Sequence, residues 1–276
     1  MTGDPRAEAR TGTARKAEVQ AAEAQTTEAR RALARLYDVD LAEDPGDDIE
    51  LYLALAERTG GPILELAAGS GRIVRPLAAA GHEVSAVDID PAMLHRLAAS
   101  RPERVTWIEA DLTVWRPERP VFRLAILGLN SLFLLTERHL QRAALESMAA
   151  ALAPGGLAVV DIWLPDAADL ARYDRRLILE YIRTDPESGR TVSKVVAALH
   201  DAATSTVLLD AIYDEGLPGE PALRWVRSDT LRLVTPGELV EFATAAGLEV
   251  ETLAGTYGLD PLGPGDERAI LVARRP

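Results

Sequence analysis

The sequence predicts an α/β fold: an open, mostly parallel sheet with helices on both faces, interrupted late in the chain by an antiparallel β-meander. Two observations carry this expectation. Up to about residue 163, short aliphatic runs such as Ile63–Leu66, Val84–Val87 and Leu124–Leu127 alternate with segments of helical periodicity, and such alternation implies right-handed crossovers in a parallel sheet. Between residues 177 and 234 the pattern changes to four strand-like segments separated by Pro, Gly, Ser and Asp, the signature of a meander.

Residues 1–31 are rich in Ala, Glu, Arg and Thr, and Val19 is the single large aliphatic between Met1 and Leu33. With no apolar stripe to dock a helix, a flexible tail is expected there. Residues 32–172 read as the main α/β core. Leu33, Leu36 and Tyr37 recur at helical spacing, and Asp48 leads into a helix carrying Leu51, Tyr52 and Leu55. Strands follow at Ile63–Leu66, Val84–Val87, Val105–Ile108 and Leu124–Leu127. Helices are expected over Ile73–Ala80, over Ala92–Ala99 after Pro91, and from Glu137 to Leu152, where Pro154-Gly155-Gly156 ends the run. Leu157–Ile162 is a nearly continuous apolar run, as expected of a strand buried on both faces. Residues 173–234 hold the antiparallel insertion, an acceptor cover or dimer interface. Residues 235–276 return to a helix over Pro236–Ala246, closed by Gly247, and two last strands at Leu248–Leu253 and Ala269–Ala273.

The 276 residues carry 30 Lys and Arg against 43 Asp and Glu, a formal charge of -13. Such a surface repels phosphate backbones, so no nucleic-acid partner is expected and a small-molecule substrate is favoured. No apolar run reaches the ~20 residues that span a bilayer, and no apolar leader opens the chain, so cytoplasmic residence without membrane association is expected. Cysteine is absent. His82, His95, His139 and His200 form no constellation in sequence, so no metal is expected.

The strand Ile63–Leu66 runs into Ala67-Ala68-Gly69-Ser70-Gly71-Arg72, and a glycine-rich turn before a helix lets a ligand approach backbone N–H groups. Val74 stands where a dinucleotide fingerprint needs its third glycine, and Arg72-Ile73 is not a P-loop ending, so the turn is poorly suited to pyrophosphate. Three acids fall at carboxyl ends of strands, where ligands bind open parallel sheets: Glu65, Asp88 and Asp111. Asp88 is placed to accept from ribose hydroxyls, with helix capping as its plain alternative. Asp111 is placed to read an adenine amino group, and Leu112 to pack on the ring. The ligand is thus expected to be a nucleoside without phosphates.

The succession Glu65-Leu66-Ala67-Ala68-Gly69-Ser70-Gly71, Val87-Asp88-Ile89-Asp90-Pro91-Ala92-Met93, Glu109-Ala110-Asp111 and Leu152-Ala153-Pro154-Gly155-Gly156 resembles the class I S-adenosylmethionine-dependent methyltransferases. The resemblance covers roughly residues 60–163 and the closing strands. Asn130-Ser131-Leu132 and the late β-insertion are similar to bacterial small-molecule methyltransferases, including sugar N,N-dimethyltransferases. It implies a Rossmann-like seven-stranded sheet with an antiparallel last strand, and in-line methyl transfer from S-adenosylmethionine to an N- or O-nucleophile. Cofactor contacts are then expected from Glu65, Ala67, Gly69, Gly71, Arg72, Asp88, Ile89, Met93, Asp111, Leu112 and Asn130. Tyr37, Tyr52, Ser131, Trp163, Tyr173 and Tyr257 are acceptor-side candidates. Ala67 departs from the family's first loop glycine, and Arg123 replaces an acid early in the fourth strand. No side chain presents itself as a general base, so proximity and desolvation are expected to carry catalysis, and a homodimer is possible. A non-methylating S-adenosylmethionine-binding protein and an RNA or protein methyltransferase remain the alternatives.

Overall fold

The computed structural model describes residues 26–43 and 46–276; most of the expected tail lies outside the described residues. Residues 26–31, which the sequence reading assigned to that tail, belong with 32–40 to helix α1. Its Leu36 is completely buried against Val192, Val196, Ala211 and Tyr213, a contact made far along the chain and invisible to local periodicity.

The core sheet comprises β1 (Ile63–Leu66), β2 (Val84–Asp88), β3 (Val105–Glu109), β4 (Phe122–Leu127), β5 (Leu152–Trp163), β10 (Glu249–Ala254) and β11 (Arg268–Arg274). Their order is β10-β11-β5-β4-β1-β2-β3. The four pairs from β5 to β3 run parallel, while β11 is antiparallel to both β5 and β10. This is the expected Rossmann-like sheet with its antiparallel final strand. β5 starts at Leu152, before the Pro-Gly-Gly turn rather than after it, because Leu152 already pairs with Phe122.

Helices α2 (Asp47–Thr59), α3 (Val74–Ala79) and α4 (Pro91–Ala99) cover one face, packing Tyr52, Leu55, Leu77 and Leu97 on Ile63, Leu124 and Val159. Helices α5 (Arg138–Ala151) and α7 (Pro236–Ala245) cover the other, with Leu145, Met148, Leu239 and Phe242 on Leu64, Leu127 and Val160. Local chemistry sets the helix starts. Asp90 caps α4 by accepting from the Ala92 amide, with Pro91 in the first turn; Thr235 and Glu238 close a reciprocal capping box on α7.

After α6 (Ala167–Tyr173), strands β6 (Ile178–Thr184), β7 (Thr191–Asp201), β8 (Thr206–Gly216) and β9 (Leu223–Arg232) form a second, antiparallel sheet in sequential order. Alternation turns Val192, Val196, Ala211 and Tyr213 toward α1. The expected meander is therefore a four-stranded sheet with one face on the body of the molecule. Among the described residues no helix is long and apolar enough to cross a membrane.

Candidate active site

The turn after β1 is shaped by three residues in the left-handed region: Ala67 (φ 55°), Gly69 (φ 55°) and Gly71 (φ 88°). Their roles differ. A Cβ on Gly71 would lie 2.4 Å from Leu97 Cδ1, so this glycine lets α4 settle against the loop. A Cβ on Gly69 would meet Tyr37 Cε1 at 3.7 Å, an ordinary contact. Gly69 instead donates its N–H to Asp88 Oδ2 at 2.7 Å, while Asp88 Oδ1 accepts from the Asp90 amide at 2.8 Å. Asp88 is thus not the helix cap, since Asp90 fills that role. Burial raises the Asp88 carboxyl pKa, and the backbone donors partly oppose this. Backbone donors thus fix the Asp88 carboxylate, whose oxygens together offer about four acceptor sites.

Beneath α2 lies a buried polar layer. Glu65 and Asp161 continue the faces on which Ile63 and Val159 sit, two residues further along their strands. Glu65 Oε2 and the Tyr52 hydroxyl are both buried without a protein partner. Desolvation pushes the Glu65 carboxyl well above its usual range. Tyr52 is accommodated because residue 128 is glycine: a Cβ there would lie 2.9 Å from the phenolic oxygen. Arg72 makes a two-pronged pair with Asp48. Asp161 accepts from the Tyr257 hydroxyl at 3.0 Å and from Arg268, whose guanidinium lies 4.6 Å above the Tyr257 ring. A buried carboxylate oxygen without a donor suits a cationic group, so the layer fits the ammonium of a methionine moiety.

Helix α1 ties this loop to the second sheet. Tyr37 lies over Gly69, and Asp38 accepts from Ser70 Oγ at 2.5 Å and from Arg96 at 2.8 and 2.6 Å. Asp40 accepts from the hydroxyls of Tyr181 and Tyr213 and from Lys194 Nζ at 2.9 Å. Burial raises the Tyr213 pKa, helped by the charge of Asp40 and the bond to it.

Two cavities flank the carboxyl ends of β4 and β5. One, of about 280 Å³, lies between them and the inner face of the second sheet; it includes Asn130, Trp163, Tyr173, Lys194, His200 and Leu209. The other, of about 1120 Å³, is an acidic cleft including Asp48, Leu129, Tyr257, Asp260 and Arg268. Leu129 and Asn130, both left-handed (φ 51° and 62°), make the turn between the cavities. Asn130 Oδ1 accepts from the Trp163 amide at 2.5 Å, locking that turn to the end of β5.

The structure therefore groups Asn130, Trp163 and Tyr173 but sets Tyr257 in the other cavity and Tyr52 under α2. Ser131 is half-buried at the start of a 3₁₀ turn, Ser131–Leu134. Beyond β2 and β3, Ile89 is 67% exposed, Met93 is buried and Leu112 half-buried. The exposed Asp111 carboxylate accepts from the Thr113 amide and hydroxyl. Sequence reading missed Lys194, His200 and Glu180 in the smaller cavity, and Asp161, which breaks the apolar run Leu157–Ile162. The alternation Val192, Lys194, Val196, Ala198, His200 was the available signal for the first two. Among the described residues no group of three or more His, Asp or Glu side chains is arranged for a metal ion.

A family profile described as a methyltransferase domain matches residues 63–156, the span from β1 to the Pro-Gly-Gly turn. Residues 63–156 thus form a methyltransferase domain, and the chain is an S-adenosylmethionine-dependent methyltransferase. The methyltransferase is 27% identical over 217 residues to a cypemycin N-terminal methyltransferase of Streptomyces sp, which covers 78% of this chain and 84% of that one. Its fold is shared with a sugar N-methyltransferase of Streptoalloteichus sp at TM-score 0.70 and 21% identity, covering 87% of this chain and 91% of the other. It is also shared with the S-adenosylmethionine-bound amino pentose methyltransferase of Micromonospora echinaspora at TM-score 0.64 and 21% identity, covering 87% and 97%. S-adenosylmethionine is accordingly the enzyme's cofactor.

Proposed function

We propose that the enzyme methylates a nucleophile of a small molecule, a nitrogen in preference to an oxygen, held in the cavity between Asn130 and the second sheet. The observation that carries this reading is that one cavity joins the ends of β4 and β5 to the inner face of β7 and β8. Ligands bind open parallel sheets at those ends, so an acceptor in this cavity lies beside the cofactor loop. Its volume, near the lower end for ligand pockets, suits one ring or one side chain. The curated relative is named for methylation at an N-terminus, and the solved sugar and amino pentose enzymes favour nitrogen as the target.

On this reading Asp88 holds the ribose hydroxyls, Glu65 takes the methionine ammonium, and Ala67, Gly69 and Gly71 shape the loop that both meet. Arg72 braces that loop through Asp48, Ile89, Met93, Asp111 and Leu112 surround the adenine, and Asn130 faces the reacting centre. S-adenosylmethionine supplies a methyl group on a sulfonium, electrophilic without acid assistance. The chain then has three tasks. It must align the acceptor in line with the methyl–sulfur bond, exclude water, and hold the amine neutral. Phe133, Val196, Leu209 and Leu231 supply the apolar wall. His200 brings an imidazole nitrogen to this wall, the group there suited to accept the proton an ammonium must lose.

Transfer from methyl-labelled S-adenosylmethionine to amino sugars, short peptides with free N-termini and phenols tests this. Label is expected in the amines, with a His200→Asn variant transferring it more slowly. Label confined to phenols would overturn the preference for nitrogen. Cofactor binding without transfer to any acceptor in the set would favour a non-methylating protein.

A further inference from the structure

On the inner face of the second sheet, Arg35, Arg183 and Lys194 direct terminal nitrogens at carboxylates. Arg227 differs. Its Nε donates to Asp229 Oδ2 at 2.6 Å, and among the described residues its two terminal nitrogens meet no protein acceptor. The side chain is 32% exposed, shielded from bulk water yet open to a ligand. Alternation along β9 explains its direction: Trp225, Arg227 and Asp229 turn inward, while Val226 and Ser228 are exposed. Arg227 stands opposite Ala211, and Ala211 packs with Leu36 of α1, the residue before Tyr37. Tyr37 in turn lies over Gly69 of the cofactor loop. Burial raises the Tyr37 hydroxyl pKa to about 12, and the charges of Arg72, Glu65 and Arg227 all act on it. One tyrosine thus stands among the loop, its buried acid and a guanidinium of the second sheet.

We propose that the terminal nitrogens of Arg227 hold the carboxylate of the cofactor's methionine moiety, so that the cofactor itself latches the second sheet onto the core. The proposal rests on the reading that Glu65 takes the methionine ammonium. Three arguments select this anion. The first is shape: a guanidinium fork presents parallel N–H groups that match the two oxygens of a carboxylate. The second is place. The ammonium and carboxylate of the methionine moiety share one carbon, so seating the first at Glu65 leaves the second nearby, on the Tyr37 side that Arg227 faces. The third is charge. Around the loop Arg72 is engaged by Asp48, Arg96 by Asp38 and Arg268 by Asp161. A further anion brought into this acidic, half-buried setting is costly unless a cation answers it, and Arg227 supplies one. Helix α1 already ties the loop to the second sheet; a bound carboxylate adds a direct tie from the loop to β9. Val196 and Leu209, on the neighbouring strands, belong to the acceptor cavity, so the cofactor would steady that wall before the acceptor arrives.

Calorimetric titration with S-adenosylhomocysteine and with its decarboxylated analogue, which keeps the amine, tests the latch. Arg227→Met should weaken S-adenosylhomocysteine roughly 10- to 100-fold and leave the analogue's affinity unchanged. Arg227→Lys, which keeps the charge without the fork, should fall between. Asp229→Asn removes the pair but not the guanidinium, and should keep or raise S-adenosylhomocysteine affinity. Glu65→Gln should weaken both ligands, so failure of the ammonium reading is distinguishable from failure of the latch. In hydrogen exchange, S-adenosylhomocysteine should protect β9 as well as the loop, and the decarboxylated analogue the loop alone. Equal losses for the two ligands in Arg227→Met, or the same loss in Asp229→Asn, would assign the pair to the sheet's own structure and overturn the proposal. Unchanged S-adenosylhomocysteine affinity in Arg227→Met overturns it as well, and leaves the fork to an anionic group of the acceptor.

Discussion

In the core sheet, Ile63, Leu64 and Leu66 of β1 and Leu124, Ala125, Ile126 and Leu127 of β4 are buried completely, with helices on either side. The second sheet has no such double cover. Its inner face is joined to the rest of the molecule by ion pairs and phenol–carboxylate bonds as much as by aliphatic contact, and its outer face leaves Leu179, Ile182 and Val226 exposed. Burial of apolar area needs no particular partner, so the core sheet can form from pattern alone. Bonds such as Tyr213 to Asp40 require α1 to be in place at the correct turn. The cofactor half of the enzyme is therefore built for tolerance, and the acceptor half depends on specific pairs.

The substitution expected to break this contrast most visibly is Arg35→Met. Arg35, on α1, bonds Asp185 and Glu215, whose side chains are 2% and 3% exposed. Although burial opposes it, bonds from Ser188 and the Glu187 amide and the charge of Arg35 hold the Asp185 carboxyl below its usual pKa. Removing the guanidinium leaves two buried carboxylates without their cation, a loss of about 3 kcal/mol. Thermal denaturation should show the midpoint falling, with acceptor turnover lost before cofactor binding. The pH dependence has a definite sign. A depressed acid contributes stability above its unfolded pKa and loses it as pH falls through the folded value, so the parent should weaken only below about pH 4. If Arg35→Met melts like the parent, the second sheet is not held by its ion pairs.

A smaller effect is expected of Glu65→Gln, which sharpens the contrast from the cofactor side. Because the Glu65 pKa is raised, the folded protein binds a proton that the unfolded chain releases from about pH 4.5 upward. Stability therefore falls as pH rises through that window, and glutamine, which never ionises, should remove the slope. The ligand-free variant should melt higher than the parent at neutral pH. Its S-adenosylhomocysteine affinity should nevertheless drop roughly 10- to 100-fold, the worth of a charged hydrogen bond. Calorimetric titration together with melting separates the two effects. A variant that loses stability and keeps affinity would remove Glu65 from the cofactor site.

What the sequence made legible follows the same division. Period, strand spacing and the acids at strand ends depend on residues near one another in the chain, and they yielded the core sheet, the loop and the family. The second sheet was readable as strands, but not its partners. Asp40 lies 141 residues from Tyr181 and 173 from Tyr213, and no periodicity connects such positions. His200 was visible yet without meaning until β7 carried it into a cavity with Asn130. Gly71 shows the converse: its place in the loop motif pointed to a ligand, while in the structure its missing side chain makes room for Leu97.

The smallest effect concerns Ala67, where the chain departs from the family's glycine. At φ 55° an L-residue is strained by about 1–2 kcal/mol. Glycine would relieve that strain, but it also gains freedom in the unfolded chain worth about 0.4–1 kcal/mol and gives up a methyl group packed on the core. Ala67→Gly should accordingly stabilise the enzyme by only about 0.5–1 kcal/mol, raising the melting midpoint by a few degrees at most. S-adenosylhomocysteine affinity should stay within a factor of two, since the loop's backbone path is already the one glycine would take. A stability decrease would mean that the alanine methyl contributes more through packing than it costs in conformation. A large gain in affinity would instead mean that this methyl stands against the methionine end of the cofactor, making Ala67 a determinant of how tightly that end is held.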